Sequence, residues 1–482
     1  MYKKLYFGNN INNHWNILEL LDENKNQTEY ISIRGEFWNN ESENDFIKLI
    51  NNGKKVIGLS SYQNFPKFII NPIENRGPIN ENDTFINKYG HLVIVWLHCF
   101  KDSINYIPPS IPKLLYSETD QYPNIEYLNS IITKDKKYDF IASIQESDWN
   151  LWIRGLEIAK KWLNYMADEM GLKILVCGSG RLNDFSKKID IIEFKPWIDF
   201  INILNMGKYL FCSSRYDASP RIIIEAMSLN MPVLLNENIL GGWKYINDET
   251  GMFFFYDEDI KTRIDKFIKK VNNINPYIWV KKNINRDKSA EKLGITLSYL
   301  QSFKISDFID KIIVINLNKI TNYDIIKELN KMEFNNDIIH IIDGIKSDNN
   351  INNNLILLLS HIKAINIIKE NKWNNVLILE NNFVFDLVKE RFLFLLKTLY
   401  NYMDKWDIFM LNAHNHLIEN TYINIFKKVI KSDLCNGYII NYKYIDTLND
   451  AYIKDYNINN NNNWIELQQK NNFIISDPMI GK

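Results

Sequence analysis

Runs of apolar residues alternate with helix-forming segments along most of the chain, and this alternation is typical of α/β folds. The clearest example spans residues 209–236, YLFCSSRYDASPRIIIEAMSLNMPVLLN. Its pattern predicts a buried strand at 209–212, a polar loop at 213–219, a helix opening at Pro220 and a second buried strand at 233–235. A helix that begins just past a strand presents free N–H groups and a positive dipole end, which together suit a phosphate group.

Two acids flank the start of this predicted helix. Asp217 lies in the loop, eight positions before Glu225, and the spacing predicts that Glu225 projects on a different side from Ile223 and Met227. Two acids at this spacing have no obvious structural duty. The residues expected around a phosphate at the helix start are Ser219, Pro220 and Arg221, with Arg221 the best-placed cation.

Other candidate residues follow predicted strands, where open α/β sheets bind ligands. Gly8 follows a strand at 4–7, His98 follows the apolar run at 92–97, and a Gly turn with Gly178, Gly180 and Arg181 follows a strand at 174–177. Trp197 opens the helix after the next strand. Plainer readings stay open: the glycines make turns, His98 bonds a carbonyl, and Trp197 is packing.

The alternating pattern restarts in the last third. Strands are predicted at 311–316, 338–342 and 376–380, with a helix containing His361 between the last two. A charged break at 135–137 precedes the middle segment. We therefore predict three domains, comprising residues 1–134, 135–304 and 305–482.

Composition narrows the function classes. The chain has 482 residues, 46% hydrophobic and 24% charged, and its net charge of −1 argues against a nucleic-acid binder. No apolar run approaches the roughly 20 residues of a membrane span. The four cysteines lack paired spacing, and the first residues turn polar too early for a secretory signal. We expect a soluble cytoplasmic protein, in the host cytoplasm or the virion if it is viral.

The 209–236 pattern resembles the signature of retaining glycosyltransferases of family 4 and their GT-B relatives. The positions that match as they stand are Glu225, Ala226, Met227, Pro232 and Val233, whereas Asp217 stands where the family usually has Glu. The resemblance implies two Rossmann-like domains around a UDP-sugar donor, and no metal. It implies that Asp217 holds the donor sugar, that Glu225 binds the ribose, and that His98 lies beside the transferred sugar.

The resemblance also implies donor contacts by the remaining candidates. Gly8 would approach the phosphates, while the Gly178–Gly180 turn and Trp197 would lie near the nucleotide base. The basic residue that relatives carry near the turn after residues 140–144 is replaced here by Trp149 and Asn150. The positive charge must then come from another arginine, and the candidates are Arg154, Arg181, Arg215 and Arg221.

The last third resembles glycosyltransferase family 25, a GT-A group that includes collagen and lipopolysaccharide galactosyltransferases. The matching pieces are VINL at 314–317, LSHIKA at 359–364, VLILE at 376–380 and CNGYII at 435–440. Where the family has two metal-binding acids, this chain has Asn381 and Asn382 after Glu380. Neutral amides bind Mg²⁺ or Mn²⁺ weakly, so we expect an inactive GT-A-like domain. Such a domain would dock an acceptor, pair protomers as a homodimer or stabilise the fold, and Glu380 would bind metal only if the domain is active.

Together the two resemblances suggest a retaining hexosyltransferase. The predicted reaction moves glucose from UDP-glucose onto galactosylhydroxylysine of a collagen-like protein, as in a collagen-modifying enzyme of a giant virus. One alternative is transfer to surface glycans or lipid-linked sugars. A non-catalytic glycan- or collagen-binding scaffold is another.

Overall fold

The structure is a computed structural model that describes residues 2–11, 16–37, 39–61, 64–67, 80–144, 153–178, 184–317, 322–345, 353–402, 406–414, 416–421, 423, 425–433, 435–458 and 462–481. The chain divides into two units. Unit 1 comprises residues 1–90, 95–107 and 113–296, and unit 2 comprises residues 91–94, 108–112 and 297–482.

Unit 1 contains two six-stranded sheets. The first has the strand order β1-β2-β3-β4-β5-β6, with β1, β2 and β3 antiparallel and the pairs β3–β4 and β5–β6 parallel. Its strands are β1 (Tyr6–Asn10), β2 (Ile17–Leu21), β3 (Gln27–Ile33), β4 (Lys55–Leu59), β5 (Val93–His98) and β6 (Lys113–Leu115). The helices along this part are α1 (Asn40–Asn51), α2 (Phe85–Tyr89) and α3 (Ile125–Ser130).

The second sheet of unit 1 is parallel throughout. Its strands are β7 (Tyr138–Ser143), β8 (Ile174–Cys177), β9 (Asp190–Ile192), β10 (Gly207–Cys212), β11 (Val233–Asn236) and β12 (Gly251–Phe254). Its helices are α4 (Leu156–Asp168), α5 (Trp197–Leu204), α6 (Arg221–Ser228), α7 (Ile260–Val271), α8 (Pro276–Asn283) and α9 (Arg286–Ser302), the last of which runs past the boundary of unit 1. The strand order β12-β11-β10-β7-β8-β9 is that of the Rossmann fold, so the order reverses between β7 and β10.

Burial explains why the second sheet forms as it does. Strands β8 and β11 are buried along their whole length, as expected for parallel strands covered on both faces. One core, with Leu210 and Met227, covers one face, and another, with Trp162 and Phe211, covers the other. Asp259 caps the first turn of helix α7 by accepting the Thr262 N–H at 2.8 Å.

Unit 2 contains one mixed eight-stranded sheet with the order β14-β13-β15-β19-β16-β20-β18-β17. Its strands are β13 (Lys311–Asn316), β14 (Ile339–Asp343), β15 (Asn375–Glu380), β16 (Ile408–Met410), β17 (Leu417–Asn420), β18 (Phe426–Lys431), β19 (Gly437–Asn441) and β20 (Phe473–Ser476). Its helices are α10 (Asn322–Lys331), α11 (Asn353–Asn371), α12 (Lys389–Tyr402), α13 (Ile445–Ile458) and α14 (Asn462–Lys470). Separate apolar cores include Leu377 and Ile378, which are neighbours on β15 and therefore face opposite sides of the sheet.

The predicted α/β class is confirmed, and unit 1 is consistent with two Rossmann-like domains. One local prediction was wrong, because Gly8 lies inside β1, paired antiparallel with β2, and not in a turn after a strand. Helical residues 153–154 precede α4, and Gly155, with a left-handed φ of 66°, separates them from it. In the part of the chain that the structure describes, no helix is long and apolar enough to cross a membrane.

Candidate active site

The candidate site lies where the strand order of the second sheet reverses, at the carboxyl ends of β7 and β10. Residues 153–155, which come after β7 in the chain, contact the loop that follows β10. Arg215 N–H donates to the Ile153 carbonyl at 2.9 Å, and Ser213 Oγ donates to the Arg154 carbonyl at 2.5 Å. A Cβ on Gly155 would lie 2.4 Å from the Ser213 carbonyl oxygen, so this approach requires glycine.

Asp217 is held at both carboxylate oxygens. Its Oδ1 accepts the Ser219 N–H at 3.1 Å, and its Oδ2 forms an ion pair with Arg154. Its carbonyl accepts the Gly241 N–H at 2.9 Å, and Gly241 packs so closely that a Cβ there would lie 1.9 Å from the Ala218 oxygen. Arg154 thus brings a positive charge to the loop, as one of the four arginines considered from the sequence.

The first turn of α6 has no side-chain cap among the described residues. Pro220 is its N-cap residue and provides no side-chain hydrogen bond, so the N–H groups of the first turn lack a side-chain cap. Arg221, the first helical residue, is exposed, and its guanidinium has no ion pair among the described residues. The helix dipole and this cation therefore add positive potential at one place.

Glu225 lies one turn into α6 and is 6% exposed. Its Oε1 accepts hydrogen bonds from the Tyr122 hydroxyl at 3.0 Å and from the Trp197 indole N–H at 2.9 Å. Within the described residues its Oε2 accepts none, so one oxygen is fixed and the other is available. Burial raises the pKa of Glu225, while the two hydrogen bonds and the nearby charges of Arg221 and Arg154 oppose that rise.

Three of the residues that build this site were missed from the sequence. Tyr122, Lys244 and Tyr245 act through contacts between distant chain segments. Lys244 pairs with Asp120 at 2.5 Å, and the Tyr245 hydroxyl donates to Asp120 at 2.8 Å. Such long-range contacts produce no periodic pattern in the sequence.

Ser219, which we predicted to contact the sugar donor, also contacts the other half of unit 1. Its hydroxyl lies 3.0 Å from Ser117 Oγ and 2.7 Å from Thr119 Oγ1, both of which come just after β6. Together with the Lys244–Asp120 pair, these contacts hold the segment after β6 against the loop that begins α6. A ligand at the start of α6 would therefore meet groups from both halves of the unit.

His98 ends β5, as predicted, and is 8% exposed. Its Nδ1 is buried with no hydrogen-bond partner among the described residues. Burial, with the positive charges of Lys113 and Lys244, lowers its pKa to about 4, so the imidazole is neutral near pH 7. The next residue, Cys99, accepts the Trp243 indole N–H at 2.6 Å through its carbonyl. His98 therefore lies close to the contact between the halves, but it has no direct contact with Asp217 or Arg221 in the described structure.

The glycines predicted to contact the donor give less information about the site. Gly178 follows β8, as predicted, and its N–H donates to the Ile192 carbonyl at 2.8 Å. Gly8 faces Glu19, because a Cβ at Gly8 would lie 2.6 Å from that side chain. Gly180 and Arg181 lie outside the described residues, as do Trp149 and Asn150. The structure thus brings together Asp217, Ser219, Pro220, Arg221, Glu225 and Trp197, and leaves the roles of the remaining candidates as predictions.

Glu380 ends β15 in unit 2, as predicted, and Asn381 and Asn382 follow it. Glu380 Oε1 lies 3.3 Å from His361 Nε2. Across the described ranges, no group of three or more His, Cys, Asp or Glu side chains is arranged to hold a metal ion.

No protein-family model matches the chain, and no curated protein matches it. Solved structures similar to it include a variant of S. aureus TarM in complex with fondaparinux, alpha-GlcNAc-glycerol and UDP, with a TM-score of 0.38 and 14% identity over 61% of this chain and 64% of that chain. Anabaena HepE in complex with UDP-glucose has a TM-score of 0.37 and 13% identity over 52% of this chain and 74% of that chain. AviGT4, a glycosyltransferase involved in avilamycin A biosynthesis, has a TM-score of 0.36 and 11% identity over 52% and 70%.

The similar structures are thus glycosyltransferases, some of them solved with UDP or UDP-glucose. The alignment spans less than two thirds of the length of TarM, at 62% to 64% of that chain. At these identities and scores the similarity concerns the arrangement of the chain alone.

Proposed function

We propose that unit 1 is a retaining hexosyltransferase that uses a UDP-sugar donor. The observation that carries the proposal is Glu225, a buried carboxylate with one oxygen fixed by Tyr122 and Trp197 and one oxygen free, one helical turn from the uncapped start of α6. A free carboxylate oxygen suits a ribose hydroxyl. The start of α6 suits a diphosphate.

The positive charges around the start of α6 support a role in stabilising UDP as it leaves. In the proposed step, the bond between the anomeric carbon and the UDP oxygen breaks, and the acceptor hydroxyl oxygen bonds to the same face of that carbon. The acceptor proton passes to the departing diphosphate. Negative charge grows on the diphosphate, and Arg221 with the N–H groups of α6 would stabilise it without reorganising.

Asp217 would bind hydroxyls of the transferred sugar. Its carboxylate is oriented by Arg154 and by the Ser219 N–H, so it is positioned before the donor arrives. His98 would act as a neutral hydrogen-bonding group beside the sugar, because burial and two lysines keep its pKa near 4. Gly8, Gly178, Gly180 and Arg181 remain proposed donor contacts.

For the substrates, the proposal is glucose from UDP-glucose as the donor and galactosylhydroxylysine of a collagen-like protein as the acceptor. The donor part is supported by the fit of a ribose and a diphosphate to Glu225 and α6. The acceptor part is supported by the residues at 314–317, 359–364 and 376–380 that resemble family 25.

The test is a UDP-release assay with several UDP-sugars, run on the wild type, Asp217→Asn and Glu225→Gln. We expect wild-type turnover with UDP-glucose, its loss in Asp217→Asn, and a raised KM for the donor in Glu225→Gln. Glu291→Gln is the matched control, since Glu291 is exposed and distant in sequence from the site. Thermal unfolding of each variant checks that the fold is retained.

Two results would contradict different parts of the proposal. If the wild type neither binds UDP in calorimetry nor releases it from any UDP-sugar, the enzymatic role of unit 1 is wrong. If UDP-glucose is hydrolysed but galactosylhydroxylysine yields no disaccharide, only the acceptor assignment is wrong.

A further inference from the structure

Unit 2 contains a cavity of about 220 Å³ at the end of β15. Its apolar wall comes from helices, with Leu357 and Leu358 on α11, Tyr452 on α13 and Trp464 on α14. Its polar wall includes Glu380, Asn382, Asn436 and His361. A wall that is apolar on one side and hydrogen-bonding on the other is typical of sites for small organic ligands.

Glu380 reaches this cavity through a buried hydrogen-bonded chain. Tyr452 Oη lies 3.5 Å from Tyr438 Oη, Tyr438 Oη lies 3.0 Å from His361 Nδ1, and His361 Nε2 lies 3.3 Å from Glu380 Oε1. The chain is satisfied when Tyr438 donates to a neutral His361, which then donates to an ionised Glu380.

One oxygen of Glu380 remains for a ligand. The Glu380 side chain is 9% exposed, and its Oε2 has no hydrogen-bond partner in the described part of the chain. Glu380 lines the cavity, so a group bound there can donate a hydrogen bond to this oxygen. The fixed Oε1 and the free Oε2 together make Glu380 an oriented acceptor.

A donor lies on the same wall. Asn412 Nδ2 donates to Asn436 Oδ1, and Asn436 Nδ2 donates to Asn382 Oδ1 at 3.3 Å. This series fixes the direction of each amide. It leaves Asn382 Nδ2 as a donor without a partner in the described structure, on an exposed side chain at the cavity.

The charges of the described lining disfavour phosphorylated ligands. None of its described lining residues is Lys or Arg, and they include Glu380, Asp433 and Asp455. Asp455 is already satisfied, since it accepts the N–H groups of Asn463 and Trp464 at the start of α14. A phosphate would meet carboxylates with no cation in return.

The size of the cavity limits the ligand further. Pockets for drug-sized ligands measure roughly 300–1,000 Å³, and this cavity is smaller at about 220 Å³. Its volume suits one six-membered ring and not a nucleotide sugar. A sugar ring has C–H faces for the apolar wall, and its neighbouring hydroxyls can donate to Glu380 and accept from Asn382.

From these observations we infer that unit 2 binds a single neutral sugar residue in the cavity between Glu380, Asn382 and Trp464. The inference does not rest on the proposed transferase activity of unit 1. A sugar bound here would be held by hydrogen bonds and ring packing, in a cavity whose described lining carries no cation.

Saturation-transfer NMR on the full chain tests the inference, with glucose, galactose, mannose, glucosamine and UDP as separate probes. We expect at least one neutral hexose to bind saturably, and UDP in excess to leave its signal unchanged. Glu380→Gln keeps the side-chain shape but turns the acceptor into a donor, and should weaken binding about tenfold. Asn382→Ala, at an exposed position, should weaken it by less. Glu419→Gln, exposed on β17, is the matched control.

Other outcomes would overturn the inference. Binding of glucosamine without any neutral hexose would mean that the carboxylate recognises an amine. Displacement of the hexose by UDP would assign its signal to a nucleotide site. The absence of saturable binding by every hexose, or equal binding by folded Glu380→Gln and the wild type, would mean that the cavity does not recognise sugar through Glu380.

Discussion

Glu225 in unit 1 and Glu380 in unit 2 are both buried carboxylates with one oxygen held and the other free. Their surroundings differ in charge. Arg221 and Arg154 lie near Glu225, beside the uncapped start of α6. Glu380 is held by His361, in a cavity whose described lining has neither Lys nor Arg. We therefore propose that the same acidic group binds the ribose of a nucleotide sugar in unit 1, beside cations for its diphosphate, and an uncharged sugar in unit 2.

The largest effect should come from removing the cation beside α6. Arg221→Ala is expected to lower kcat for UDP-sugar turnover about 100-fold, because the departing diphosphate loses a preorganised positive group. Steady-state UDP release measures this. Arg286→Ala is a matched control at another exposed arginine. An unchanged kcat in Arg221→Ala would mean that the positive charge comes from elsewhere, with Arg154 the next candidate.

A smaller effect should follow from neutralising Glu225 itself. Glu225→Gln keeps the contacts to Tyr122 and Trp197 but presents an amide where the free oxygen was, so KM for the UDP-sugar should rise about tenfold. The prediction is specific to binding, because the ribose lies away from the reacting bond. A fall in kcat with unchanged KM would contradict the ribose role.

The difference in charge between the two sites can also be reduced by a substitution in unit 2. Asn382→Arg places a cation at the unit 2 cavity, on a side chain that is already exposed. We expect the wild type to bind glucose 1-phosphate poorly and the arginine variant to bind it about fivefold more tightly, as measured by calorimetry. Asn382→Gln serves as the control for side-chain size. If the arginine variant gains nothing, charge is not what separates the two sites.

Local patterns were sufficient for the elements that carry the site. The bounds of β8 and β13 match those predicted, because each is a short apolar run with its own boundary signals. The hairpin of β2 and β3 was not predicted, although Ile17–Leu21 and Gln27–Ile33 are short apolar-rich strands. Its turn, with Lys25 at a positive φ of 66°, lacks the Asn-Gly or Asp-Gly pair that marks many hairpins.

Only part of the candidate site in unit 1 could be predicted from the sequence. Asp217, Pro220, Arg221 and Glu225 lie within nine residues of one another, so a sequence pattern can contain them. Tyr122 is 103 residues from its partner Glu225, and such a contact leaves no local signal. Glu225 was expected to point away from the apolar face of α6, yet it is as buried as its neighbours. Long-range hydrogen bonds from Tyr122 and Trp197 make that burial tolerable.

The smallest expected effect concerns pH and separates Glu225 from an ordinary glutamate. Burial raises its pKa above the usual 4.5, so protonation begins at a higher pH than in an exposed side chain. The ionised form is the better acceptor for a ribose hydroxyl. A UDP-sugar, whose two phosphates are both esterified, does not titrate in this range. KM for the UDP-sugar should therefore rise, by about twofold, as the pH is lowered to the raised pKa of Glu225.

The stability of the free protein should depend on pH in the opposite direction to donor binding. Because its pKa is higher in the folded than in the unfolded state, its contribution to stability is fully present below the unfolded pKa and is lost as the pH rises through the folded one. Donor binding thus improves over the same range in which the free protein loses stability. Glu225→Gln should flatten both profiles. If the variant keeps the wild-type slope in KM, another group titrates, and Glu225 is not the carboxylate that the ribose meets.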